Sequence, residues 1–382
     1  MREGEQVSPL ELFFDLVFVL AITQCTQLMS DDPTWGGVAR GLLLLGLLWW
    51  SWVGYAWLTS VVDPEDDAVR LVIFAAMAAL LLVALAVPEA FGDRALAFAL
   101  AYGAVRAAHI GLFLLASRDE PGLRHSVVGL ALSTGLGISI LVAGSLLDGD
   151  ARTAVWAIAL ALDMAGPYFT NSEGWKLVPA HFAERHGLIL IIALGESIVA
   201  IGVGVEGHLT LGQGTAAVIG IGLAAAMWWL YFDVVALVAA RRLERAPVGR
   251  ERNEMARDSY SYLHFPMVAG IVLVALGMKK TLGHVEDPLA TVPAFALLGG
   301  LAAYLLGHVF FRYRHIHTIN VRRALLAALL VAFLPVAVEI PAVATVAVVT
   351  GLVWLLIVAE TRGYGEGRGR VRREDFAPMP SS

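Results

Sequence analysis

Apolar stretches long enough to cross a bilayer follow one another along almost the whole chain, and this leaves few folds open to it. A bilayer core of about 30 Å takes about 20 apolar residues of helix. On that measure the candidate spans are 10–29, 37–60, 69–88, 95–116, 126–147, 153–169, 187–205, 215–239, 261–278, 289–311, 323–339 and 342–359. Gly, Pro and charge separate them, as in DDPTWGG, DPEDD, PEAFGDR, SRDEPGLRH, DGDAR, EGHLTLGQG and HVEDP. Only Glu339-Ile340-Pro341 divides the last two. Of the 382 residues, 58% are hydrophobic and 16% charged, and mean hydropathy is +0.72. A soluble domain carries about 25% charged residues to face water. Lipid is therefore the natural solvent, and the expected fold is an all-α polytopic bundle of about twelve spans.

Lysine and arginine set the direction. With the N-terminus inside, the inner segments hold Arg2, Arg70, Arg118, Arg124, Lys176, Arg185, six arginines between 241 and 257, four between 312 and 323 and five after 361. The outer loops hold Arg40, Arg94, Arg152, Lys279 and Lys280. That bias predicts both termini in the cytoplasm. The start MREGEQVSPLELFFD has acidic residues where a signal peptide would be basic, so the first span is expected to be retained. The single Cys25 excludes a disulfide within one chain. Nothing points to nucleic acid, and no cofactor or metal site is expected.

The two halves resemble each other. Trp49-Trp50 and Trp228-Trp229 each sit inside a span, Glu11 and Glu184 open spans 1 and 7, and Ala-Phe-Ala-Leu occurs at 97–100 and 294–297. His109 and His308 close spans 4 and 10, which reads as an interfacial or snorkelling role for both. Residues 1–180 and 181–361 are thus read as parallel six-span repeats, an arrangement that places a transport path between halves. Residues 362–382 read as a disordered cytoplasmic tail.

Ionisable groups inside a membrane are functional candidates. Glu11, Asp15, Val19, Ile22 and Thr26 share one face of span 1, which suits either a pore-lining helix with an apolar constriction or a helix whose Asp15 caps a neighbour. Arg106, near mid-depth, needs a partner, and Asp163 and Glu196 are at similar depth. Gly195-Glu196-Ser197 at the centre of span 7 permits close backbone approach and a local break, and is the preferred single site for a proton or cation. Asp233, about a turn and a half from Arg241, reads as a charge-pairing residue. The chemistry-bearing set is therefore an ion or proton pathway of Asp15, Ile22, Thr26, Glu196 and Ser197, with Arg106, Asp163 and Asp233 in intramembrane pairing. Gly202-Val-Gly-Val-Glu-Gly207 matches a dinucleotide fingerprint but follows a membrane helix rather than a strand.

Pro9-Leu-Glu-Leu-Phe-Phe-Asp-Leu-Val-Phe-Val-Leu-Ala-Ile-Thr-Gln24 resembles the opening signature of the bacterial low-temperature-requirement A (LtrA) family. His181-Phe-Ala-Glu-Arg-His-Gly-Leu-Ile-Leu-Ile-Ile-Ala-Leu-Gly-Glu-Ser197 resembles its second signature, and Trp228-Trp-Leu-Tyr-Phe-Asp233 its continuation. The resemblance implies a multi-pass inner-membrane protein and supplies no biochemical activity. The segment Phe13–Thr23 is also similar to the F-S-D start of potassium channels built from six-span repeats. That likeness implies that Asp15 stabilises a pore helix and that Ile22 forms a constriction, although Phe14 stands where the channels have Ser and span 7 has no F-x-D.

Two readings follow, a channel or proton/cation-coupled transporter and a non-transporting sensor or scaffold. A lipid-modifying enzyme would need His181, Glu184, Arg185 and His186 at the inner interface, and the chain is not expected to be an enzyme. Its partners are the bilayer and a proton or monovalent cation, with homo-oligomerisation left open.

Overall fold

The computed structural model describes residues 6–169, 174–205 and 209–375, with side chains as far as Gly363. These residues are overwhelmingly helical, and no strand forms among them beyond an isolated antiparallel bridge between Pro288 and Pro341. In chain order the helices are α1 (Pro9–Asp31), α2 (Trp35–Leu58), α3 (Asp67–Ala86), α4 (Ala95–Ala116), α5 (Pro121–Gly144), α6 (Gly149–Phe169) and α7 (Pro179–Gly204). They continue with α8 (Leu211–Phe232), α9 (Val235–Arg245), α10 (Arg250–Ala256), α11 (Phe265–Gly283), α12 (Thr291–Ile316), α13 (Val321–Ala337) and α14 (Ala342–Asp375).

Local chemistry starts these helices where the sequence breaks its apolar runs. Ser8 caps α1 by accepting from the Glu11 amide, Glu11 returns the bond to the Ser8 amide at 2.9 Å, and Pro9 fixes the first turn. Thr34, Asp66, Thr210 and Asn320 cap α2, α3, α8 and α13 through their side-chain oxygens.

Ten helical segments among the described residues are long and apolar enough to cross a membrane, with α8–α9 and α10–α11 each counted as one. The expected spans 153–169 and 323–339 form helices α6 and α13 but fall outside the ten. Arg152, Asp163 and Pro167 dilute the apolar run of α6, and α13 has 17 residues. The expected continuous span 215–239 breaks after α8, where Asp233 is the C-cap and α9 begins as an amphipathic helix carrying Arg241, Arg242 and Arg245. Residues 362–375, expected as disordered tail, continue α14 as helix, since extending a formed helix needs no new nucleus. The rest of the expected tail, 376–382, lies outside the described residues.

The chain divides into two compact units. The first is residues 1–189 with 246–257, the second 190–245 with 258–382. Within the first, α3 packs on α1 and α4, α4 on α5, α5 on α6, and α2 against α1, α4 and α6. Within the second, α11 packs on α12, α12 on α13, α13 on α14, and α8 against α14 and α11. The expected repeat boundary at 180/181 is at the start of α7, whereas the unit boundary falls inside that helix.

The tightest helix pair in the second unit is built on glycine. A Cβ added at Gly300 would sit 2.7 Å from the Gly270 carbonyl oxygen and 2.7 Å from Leu273 Cβ. Such small-residue seams let helix backbones approach where lipid gives no hydrophobic drive for association. Gly300→Ala is expected to destabilise the protein by about 1–3 kcal/mol through overpacking. Gly351→Ala, where a Cβ meets nothing within 4 Å, should leave stability unchanged or slightly raised. Thermal unfolding in one detergent compares the two.

Candidate functional site

Three helices of the first unit each present two polar side chains a turn or two apart on one face. Helix α1 supplies Glu11 and Asp15, α7 supplies His181 and Arg185, and α2 supplies Trp52 and Thr59. Spacings of four and seven place each pair on one side of its helix, so the six groups converge. Arg185 is the hub. Its Nη1 donates to Glu11 Oε1 at 2.9 Å and to Thr59 Oγ1 at 3.2 Å, and its Nη2 donates to Asp15 Oδ1 at 2.7 Å. Trp52 Nε1 donates to the same Asp15 oxygen at 2.8 Å, and its ring lies 5.6 Å from the guanidinium. His181 Nε2 donates to Glu11 at 3.0 Å.

This cluster is closed to solvent. Glu11, Asp15 and Arg185 are 2%, 1% and 1% exposed. Glu11 also caps α1, so one carboxylate fixes the start of that helix and anchors α7. Among the described residues Asp15 Oδ2, Arg185 Nε and His181 Nδ1 have no hydrogen-bond partner. The charges do not balance. Two carboxylates share one arginine, which leaves one net negative charge when His181 is neutral and none when it is protonated.

A second cluster in the same unit is balanced. Arg106 Nη2 on α4 donates to both oxygens of Asp163 on α6 at 3.0 Å and to Thr134 Oγ1 on α5 at 2.9 Å. Thr134 in turn donates to Asp163 Oδ1 at 2.8 Å. Gly54 makes room on α2, since a Cβ there would come 2.8 Å from Arg106 Nη1 and 2.9 Å from the His109 ring. Gly137 does the same on α5, where a Cβ would meet Asp163 Cβ at 3.1 Å.

The second unit holds a third cluster. Arg323 of α13 donates to both oxygens of Glu360 on α14, at 2.9 and 2.8 Å, and to His308 Nδ1 on α12, while Asn320 donates to Glu360 at 2.7 Å. Among the described residues no three His, Cys, Asp or Glu side chains converge as metal ligands would.

The residues singled out in the sequence fall unevenly on this geometry. Asp15 is in the first cluster, and Arg106 and Asp163 form the second, so of the two candidate partners for Arg106 it is Asp163 that binds it. Ile22 and Thr26 are buried at 3% and 2% exposure, and the Thr26 hydroxyl is turned back onto the Ile22 carbonyl at 3.2 Å. Glu196 and Ser197 are buried in the second unit, on a helix that runs unbroken past them. The close approach expected of Gly195 is absent, as a Cβ there would meet nothing within 4 Å. Asp233 is buried as the C-cap of α8, in the middle of the Leu211–Arg245 segment.

His109 and His308 are likewise corrected. Each is 1% exposed, with His109 packed on Tyr55 and Phe113 and His308 on Tyr304, so neither snorkels. His181, Arg185 and His186 are buried rather than open at an interface. The sequence reading passed over Arg185, His181, Thr59 and Trp52 as one site. The signal was present as two complementary pairs at the same spacing, acidic at 11 and 15 and basic at 181 and 185.

A multi-pass helical chain that holds arginine–carboxylate clusters inside its apolar helices is an integral membrane protein. The family model described as bacterial low temperature requirement A protein (LtrA) matches residues 6–359, and the chain belongs to that family. A protein of Rhizobium meliloti (strain 1021), described as uncharacterized, is similar to it at 32% identity over 315 residues, covering 79% of this chain and 76% of its own. No solved structure matches.

Removing one member of a buried ion pair strands the other, at a cost of about 3–5 kcal/mol. Arg106→Met is therefore expected to destabilise the protein by that order. The double change Arg106→Met, Asp163→Leu should recover most of the loss. Thermal unfolding of wild type, both single variants and the double variant in detergent reads the coupling directly.

Proposed function

We propose that this protein is a proton- or monovalent-cation-coupled transporter, or a channel for such an ion, and that its exchange site is the Glu11–Asp15–His181–Arg185 cluster. One observation carries the reading. The cluster is enclosed in an apolar unit, yet with His181 neutral it is one positive charge short of balance, and among the described residues Asp15 Oδ2 has no partner. Uncompensated charge in a membrane interior is costly, so the site favours uptake of one proton or one small cation. Bound positive charge competes with Arg185 for Asp15. Release of Arg185 frees α7 from α1 at this point, which is a local charge change acting on a helix contact. In this reading α7 carries the signal onward, since Glu196 and Ser197 lie eleven and twelve residues along the same helix.

The excess of arginine in the inner segments supports a cell-inner-membrane protein with both termini in the cytoplasm. The recurring neighbour relations inside the two units support a duplicated six-span module. The third span of each packs on the fourth, the fourth on the fifth, the fifth on the sixth and the second on the sixth. In this reading the chain is not an enzyme.

A second reading, a sensor or scaffold that moves nothing, is favoured by the Arg106–Thr134–Asp163 cluster, where the arginine and the carboxylate balance within bonding distance.

Flux into liposomes separates them. Wild type is expected to pass protons, Na⁺ or K⁺ down an imposed gradient, with Asp15→Asn falling to the level of empty vesicles and Arg106→Met, Asp163→Leu retaining flux. Wild-type vesicles that stay closed to all three ions under every gradient would exclude transport and leave the scaffold reading. Flux through Asp15→Asn at the wild-type rate would remove the assigned site.

A further inference from the structure

In the second unit a cavity of about 90 Å³ opens where the end of α8, the end of α12, the start of α13 and α14 meet. Its polar wall is His308, Arg312, Asn320, Arg323 and Glu360. A recess of about 190 Å³ shares Val234, Val235 and Arg312 with it and is otherwise lined mainly by apolar side chains, among them Val238, Phe311 and Ile316. A polar chamber and an apolar one thus meet at a single arginine.

The polar chamber is set up for an anion. Arg323 is committed to Glu360, so that pair adds no net charge. Arg323 also donates to His308 Nδ1, and an arginine can only donate. Nδ1 must therefore be an acceptor, which puts the proton of the neutral ring on Nε2. Among the described residues that Nε2–H has no partner, although the ring lines the cavity and is 1% exposed. Arg312 supplies the remaining charge. It is half-buried, and its Nε donates to Thr318 at 3.0 Å. Among the described residues the chamber thus offers one cation without a carboxylate partner and one idle buried donor beside an apolar recess. Helix α9, whose Val238 lines the recess, carries Arg241, Arg242 and Arg245, and the start of α13 carries Arg322, which would draw acidic lipid to this level of the bilayer.

We propose that these two chambers form a binding site for an anionic phospholipid, with the phosphate between Arg312 and His308 Nε2 and an acyl chain in the recess beside Val238. The site shares no residue with the ion cluster of the first unit, so either assignment stands or falls without the other.

Native mass spectrometry of the full chain in detergent, titrated with phosphatidylglycerol or with phosphatidylcholine of the same chains, tests it. One phosphatidylglycerol should be retained, with the zwitterionic lipid weaker. A charge-assisted hydrogen bond is worth enough that Arg312→Gln should weaken phosphatidylglycerol by about tenfold. Val238→Trp, which fills the recess and leaves Arg312 in place, should weaken it as well. Arg70→Gln, far along the chain in the first unit, should bind like wild type. Thermal unfolding confirms that each variant is folded, and either chamber variant alone suffices. Equal binding of the two lipids overturns the proposal. So does wild-type affinity in a folded chamber variant, a matching loss in Arg70→Gln, or displacement of the lipid by equimolar inorganic phosphate.

Discussion

Arg185 is the contact on which the first unit depends, because a guanidinium inside an apolar helical unit cannot be left unpaired. Its two terminal nitrogens reach Glu11, Asp15 and Thr59, and thereby tie the start of α7 to α1 and α2. Glu11 is simultaneously the N3 residue of the capping box that starts α1. A neutral residue without a side-chain acceptor at position 11 would lose the cap of α1 and leave Arg185 held by Asp15 and Thr59 alone. In water each contact would be worth little. Inside an apolar unit, desolvation makes each one obligatory, so a few charges decide which helices touch.

Much of the fold was legible because the same constraint writes itself into the sequence. Lengths of apolar runs, and the Gly, Pro and charge between them, located the helices to within a few residues for most spans. The exceptions have physical causes. Span 215–239 looked continuous because Val235–Ala240 is apolar, but α9 is amphipathic and starts anew after the Asp233 cap. The tail was read from its Gly and Arg content as disordered, whereas α14 extends a helix already nucleated in its apolar part.

The site was less legible, because hydropathy gives depth and not facing direction. Glu196 drew attention by sitting at mid-helix beside a glycine, but that glycine faces open space. His109 and His308 sit near helix ends in sequence and yet turn inward against tyrosines. Arg106 could be narrowed to two carboxylates by depth alone. What selects Asp163 is local shape, namely the space left by Gly137 and the bridging hydroxyl of Thr134, and neither is visible without the packing. Glu11 and Asp15 were seen to share a face, but their counter-charge lies 170 positions away, where no periodicity reaches.

Charge balance separates the three buried clusters by what they can do. Arg106 with Asp163, and Arg323 with Glu360, pair one cation with one carboxylate inside bonding distance. A pair of that kind gains little from another ion, and its natural role is to hold helix register. The first cluster contains the same chemistry with one more carboxylate and a histidine. It reaches neutrality only by acquiring a positive charge. Helix α2 runs beside both clusters of the first unit, with Trp52 and Thr59 in the unbalanced one and Gly54 pressed on Arg106 in the other. A rearrangement at Arg185 would therefore be felt two residues away, at a seam where Gly54 leaves no slack.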